Sequence, residues 1–133
     1  MADYVPFCRS SYFKVKDLEA FNRFCKERGI ELIDKESKTD GKLYGFLSEH
    51  GLPCYAHDEK TGEDRDIDFL AELASHLAPG WIAIIQEIGY EKCRYLVGCA
   101  FAVNSKGKMR EVSIESIYGR AKKLGEHMTR CEY

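Results

Sequence analysis

The feature that most constrains this chain is the stretch from Trp81 to Gly107. Trp81–Ile88 is apolar at nearly every position, Gly89–Lys92 supplies a corner, and Arg94–Val103 is a second long β-prone run. Asn104-Ser-Lys-Gly107 then makes a hairpin loop in which Gly107 can take positive φ. Two long strands joined by a tight corner and followed by another hairpin must lie side by side and antiparallel. The unbroken apolar character of the first predicts a central strand covered on both faces. Lys108–Val112, with its charges, reads as the edge strand that completes the meander.

The remaining pattern builds outward from that core. Phe7–Val15 alternates as a first strand, with Phe7, Arg9, Ser11, Phe13 and Val15 on one side. Asp17 offers an N-cap to a helix carrying Leu18, Phe21, Phe24 and Cys25 on one stripe, and Gly29 ends it. Ile30–Ile33 and Leu43–Ser48 read as antiparallel strands about a turn at Ser37–Lys42, and Cys54–His57 as a short strand before the polar turn Asp58–Gly62. A second helix carries Ile67, Leu70, Leu73, Ala74 and Leu77, capped by Asp66 and stopped by Pro79-Gly80. Ser113 caps a third, in which Ile114, Ile117, Ala121 and Leu124 face inward and Gly125 ends the helix. This order lacks the strand–helix alternation of a parallel sheet. It predicts an α+β fold, a mainly antiparallel sheet of about five to seven strands with three helices mostly on one face. At 133 residues and 44% hydrophobic, one domain spanning 1–133 is expected, with 126–133 as a flexible tail.

The longest apolar run, near Trp81–Ile85, falls far short of the roughly 20 residues that cross a bilayer, so no membrane partner is expected. The N-terminal Met-Ala-Asp-Tyr-Val lacks a basic-then-apolar export signal, so a cytoplasmic location is expected. There the six cysteines stay thiols, spaced irregularly and without a Cys-x-x-Cys.

Chemistry-bearing groups are sparse. His50, Cys54 and His57 could supply three zinc ligands, yet no second ligand pair with knuckle spacing follows around Cys93, Cys99 or Cys131. Cys93 between Lys92 and Arg94 has the cations that activate a thiol, an arrangement equally common on solvated corners. Glu87, in its apolar strand, is the carboxylate best placed to be perturbed, with Lys92, Arg94 or Tyr95 as candidate partners; a structural ion pair or a solvent-facing strand end accounts for it as well. His76 and His127 read as surface or helix-end residues. Phosphate loop, nucleophile elbow and zinc-protease helix are all missing, and Lys60 spoils the calcium-loop pattern at Asp58. No catalytic residue, metal or cofactor is assigned.

Charge carries more information. The net charge of −2 gives no global pull toward nucleic acid. Locally, Asp58, Glu59, Glu63, Asp64, Asp66, Asp68 and Glu72 face only Lys60 and Arg65. From Lys106 to Arg130 the balance reverses, with Lys106, Lys108, Arg110, Arg120, Lys122 and Lys123 prominent against three glutamates. The acidic segment suits a basic protein groove, and the basic one suits nucleic acid. Both are also what ordinary solvated surfaces look like.

Two stretches, Ser-Ser-Tyr-Phe-Lys-Val-Lys-Asp at 10–17 and Ile-Gly-Tyr-Glu-Lys-Cys-Arg-Tyr-Leu-Val-Gly at 88–98, resemble small uncharacterised proteins carried by bacteriophages and conjugative elements of Gram-positive bacteria. The resemblance transfers no catalytic residues and implies a mobile-element setting. Small acidic proteins in that setting act as stoichiometric inhibitors of host defence, anti-CRISPR proteins among them. The expected function is therefore a non-enzymatic protein that binds and inhibits a host protein or ribonucleoprotein complex through Asp58, Glu59, Glu63, Asp64, Asp66 and Asp68. The alternatives are a nucleic-acid-binding regulator using the basic segment, and a small enzyme using His50, Cys54 and His57 or Cys93. The oligomeric state is left open.

Overall fold

The structure, a computed structural model, describes residues 4–53, 55–58, 63–91 and 95–131, of which 4, 55–58, 63–66 and 95 are described by backbone alone. In chain order these form β1 (Tyr4–Ser10), α1 (Leu18–Arg28), β2 (Glu31–Ser37), β3 (Gly41–Ser48), β4 (Tyr55–Asp58), β5 (Glu63–Asp66), α2 (Phe69–Ala74), β6 (Ile82–Glu91), β7 (Tyr95–Asn104), β8 (Met109–Ser113) and α3 (Ser116–Ala121). The fold is α+β. Six strands make one open antiparallel sheet in the order β2-β3-β1-β6-β7-β8, and β4 pairs with β5 in a separate two-stranded ribbon. The expected meander is present as β6-β7-β8, with β8 at the edge.

The capping chemistry of α1 acts as expected. Asp17 accepts hydrogen bonds from the N–H groups of Glu19 and Ala20, and Gly29 closes the helix at φ 68°, a left-handed conformation that costs glycine little. For α2 the cap is Asp68, whose carboxylate accepts from the Ala71 N–H at 3.1 Å. Asp66, the expected cap, is instead held in β5, where it lies across from Tyr55. Sheet pairing thus delays the helix by two residues.

The first strand ends earlier than its alternation suggests. At Ser10 the hydroxyl donates to the Ser11 carbonyl at 2.7 Å and accepts from the Phe46 N–H at 2.9 Å, and the chain leaves the ladder. Residues beyond it make only isolated bridges, Phe13 with Tyr44 and Val15 with Leu77. This break puts Phe7 on one face of the sheet and Phe13, fully buried, on the other.

The core lies between the sheet and the pair α1 and α2. Phe21 and Phe24 from α1 meet Phe69, Leu70 and Leu73 from α2 over Phe46, Ile85 and Val103 of the sheet. Phe24 stacks on Phe69 at 5.4 Å between ring centroids, and Phe46 meets Phe69 edge-on at 5.4 Å. His76, just past α2, tilts against Phe24 at 4.8 Å and Phe21 at 5.8 Å, so it is part of this packing and not a free surface residue.

The third helix departs from expectation. Ser113 accepts from the Glu115 N–H instead of capping, and α3 runs only from Ser116 to Ala121 with no buried residue. Ile114 and Ile117 are more than half exposed and Leu124 is 90% exposed, so the apolar stripe expected to face inward does not. The segment after α3 folds back on it: Arg130 pairs with Glu115 and stacks on the Tyr118 ring, whose hydroxyl accepts from the Cys131 N–H.

Candidate interaction surfaces

Antiparallel pairing fixes which residues share a face of the sheet. Cys8, Glu87, Cys99 and Ser113 form one row across β1, β6, β7 and β8, on the face that carries the helices. The row beside it, Phe7, Ile88 and Gly98, belongs to the opposite face, as do Val5 with Tyr90 and Leu96 one row further on. On the helix side, β6 buries Ala83, Ile85 and Gly89. On the other it exposes Ile82, Ile84, Ile88 and Tyr90, with Ile88 65% accessible. The expectation of a strand covered on both faces is therefore corrected: β6 is covered on one. Helices α1 and α2, of eleven and six residues, lie on the same side, and among the described residues no helix packs a buried side chain on the opposite face of the six-stranded sheet.

That open face is apolar over most of β1, β6, β7 and β8. Leu96 is 58% exposed, and Val5 and Val112 are more than half exposed. Across its middle runs a shallow groove of about 370 Å³ between Ile88 and Val112, floored by Gly98 and Ala100. Ile114 closes one end, its Cγ2 3.0 Å from where a Gly98 Cβ would stand. Polar groups of the face include Arg9 and Gln86, paired in register, Arg110 on the edge strand, Asn104 across from Ile82, and Glu31 on β2, in the Arg9–Leu47 row. Sequence reading passed over this face because an apolar run looks the same whether its second side meets helices or nothing. The signal that could have found it is the shortage of helical residues to cover both faces.

The other residues singled out from sequence fall as follows. Glu87 is half-buried and its Oε1 accepts from the Leu52 N–H at 2.6 Å, which anchors the loop after β3 to β6. That is a structural task. Cys8 is buried, and desolvation, reinforced by the Glu87 charge, pushes its thiol up to about 12; burial raises Cys25 to about 11. Neither is a nucleophile near neutral pH. Cys54, Glu59, Lys60, Lys92, Cys93 and Arg94 lie outside the described residues. His57, Asp58, Glu63, Asp64 and Asp66 lie on the strands of the β4–β5 ribbon, where register sets His57 across from Asp64 and Asp58 across from Glu63. Asp68 is committed to capping α2. His50 is exposed, and among the described residues no group of three or more His, Cys, Asp or Glu is arranged to hold a metal ion. Among them, too, no helix is long and apolar enough to cross a membrane. Lys106, Lys108, Arg110, Arg120, Lys122 and Lys123 are all exposed, on the β7–β8 hairpin and around α3.

Comparison of the chain with protein-family models, with curated proteins and with solved structures finds no match in any of the three.

Proposed function

We propose that this protein acts by binding, and that it inhibits a cytoplasmic host macromolecular complex by seating its acidic β4–β5 ribbon in a basic groove, in the manner of an anti-CRISPR protein. The observation that carries the reading is topological. β4 and β5 pair with each other and stand apart from the six-stranded sheet, between β3 and α2. The segment from Asp58 to Glu72, which includes β5, has seven carboxylates against two cations. Asp68 caps α2 and Glu72 pairs with Arg28, so the strands of the ribbon carry Asp58, Glu63, Asp64 and Asp66 against Arg65. A ribbon of that charge meets phosphate-binding surfaces favourably and resembles the charge pattern of the nucleic acid it would displace.

Asp68 should be left intact in testing this, because removing it would weaken α2 as well as the charge. With Asp58, Asp64 and Asp66 changed together to Lys, a tagged protein expressed in its host should recover far less of the complex that the parent recovers. Equal recovery would sink the proposal.

A second reading has its own support: the six cations of the β7–β8 hairpin and α3 are all exposed, on adjacent elements. As a nucleic-acid contact they would give affinity that falls steeply with salt, and an absence of salt-dependent binding to single- or double-stranded nucleic acid would remove that reading.

A further inference from the structure

We infer that the open face of the sheet is a self-association surface, and that a second copy of this chain covers it to form a face-to-face dimer. The inference is independent of the acidic ribbon, which lies outside the six-stranded sheet.

The first argument is area. The exposed apolar side chains of this face, from Val5 on β1 to Ile114 after β8, present on the order of 800 Å² of apolar surface, given that each is about half accessible. The largest apolar patch on a typical monomer is about 300–600 Å², whereas a standard specific interface takes about 800 Å² from each partner. The face is thus too large for a solvated monomer and the right size for one half of a dimer.

The second argument is shape and charge. A twisted antiparallel sheet with one alternating apolar side is complementary to another such sheet, which packs about 10 Å away with side chains interdigitating. The helices already supply the second layer on one side of this sheet; a partner sheet would supply the third on the other. An isologous interface brings each residue near the same region of its copy, so charge at the centre would repel. Here the rows from Ile88 to the end of the β6–β7 ladder hold Phe7, Ile88 and Gly98, then Val5, Tyr90 and Leu96, with no ionisable carboxylate or ammonium among them; the middle row is Arg9, Gln86, Ala100 and Val112, whose one charge lies at its β1 end. Arg9 in the middle row and Arg110 in the row beside it lie on β1 and β8, at the flanks of the β6–β7 pair. The groove over Gly98 and Ala100 gives large side chains of the copy, Ile88 or Leu96, somewhere to enter.

Sedimentation velocity at about 50 µM, above the micromolar dissociation constants of weak specific interfaces, tests this directly. The chain should sediment at twice its own mass, and Ile88→Glu or Leu96→Lys should each sediment as a monomer. Both side chains are exposed in the isolated chain, so a melting temperature measured on the monomeric variants reports whether the fold persists. Val5→Thr combined with Val112→Thr keeps β-branched shape and should raise the dimer dissociation constant at least tenfold. A monomeric parent chain would overturn the inference, and one that also floats with phosphatidylcholine vesicles would assign the face to a lipid surface instead. Dimerisation unchanged in all three variants would overturn it too, placing the contact elsewhere.

Discussion

Arg28 at the end of α1 holds Glu72 of α2 in a two-point ion pair, Nε to Oε1 at 2.9 Å and Nη2 to Oε2 at 2.6 Å, while its guanidinium lies 6.0 Å from the Phe24 ring centroid. The Arg28 side chain is only 10% exposed, so this fork ties the two helices together at the rim of the core they share. The paired arrangement is stronger than an ordinary surface ion pair because both bonds are charge-assisted and one partner is largely desolvated.

Glu72→Gln should therefore cost about 1–2 kcal/mol, since it leaves a mostly buried guanidinium half-satisfied, and should lower the melting temperature by roughly 5 °C. Arg28→Lys should recover little of the lost stability of an Arg28→Ala chain, because an ammonium cannot supply the planar fork. Denaturant melts of the three variants check both statements; a Glu72→Gln midpoint equal to the parent's would show the pair to be idle.

Where β1 leaves the ladder, Gly45 has no room for a side chain. A Cβ there would stand 2.7 Å from the Ser11 carbonyl oxygen and 2.8 Å from Ser10 Oγ. Gly45→Ala should destabilise by about 1–3 kcal/mol through backbone displacement. Ser10→Ala should cost a similar amount for a different reason, since the buried Phe46 N–H loses its acceptor. Because the two residues share one contact, the double variant should lose less than the two single losses combined, which a double-mutant cycle on chemical denaturation would read.

Thiol reactivity should follow burial. Cys131 is exposed, whereas Cys8 and Cys25 are buried with thiols pushed up to about 12 and about 11. At pH near 8 the latter two would be thiolate in about one molecule per thousand or fewer. Iodoacetamide should modify Cys131 in the native protein and reach Cys8 and Cys25 only in denaturant, as read by peptide mass spectrometry. Native labelling of Cys25 at the rate of Cys131 would contradict the packing of α1 on the sheet.

What was legible in the sequence was local chemistry with a sharp signal. Asp17 and Gly29 bound α1 because an N-cap oxygen and a left-handed glycine act on their immediate neighbours. The β6-β7-β8 meander was legible because short connections allow little else. Competition between elements was not. Asp66 and Asp68 are equally good caps in isolation, and pairing with β4 decided between them. The stripe from Ile114 to Leu124 has the spacing of a buried helix, yet the sheet beside it offers α1 and α2 on one side only, and nothing in a 3.6-residue period records that. The open face escaped for the same reason, because periodicity reports which residues share a side and not what lies opposite.

His76 couples stability to pH. Packing against Phe21 and Phe24 holds its pKa below the ordinary 6.5, chiefly by desolvation; Glu72, Asp17 and Glu27 oppose that shift and Lys16 adds to it. A histidine that binds a proton less readily when folded makes the unfolded chain the better proton acceptor. Stability then rises with pH up to and through 6.5, is fully present above it, and is lost as pH falls toward the lower folded value. Denaturation midpoints taken between about pH 8 and pH 5.5 should fall on acidification, and the fall should shrink in His76→Phe, which keeps an aromatic ring against Phe24. Carboxylates also titrate toward the acid end of that range, so the difference between the parent and His76→Phe slopes is the decisive reading, and equal slopes would remove His76 from the account of acid sensitivity.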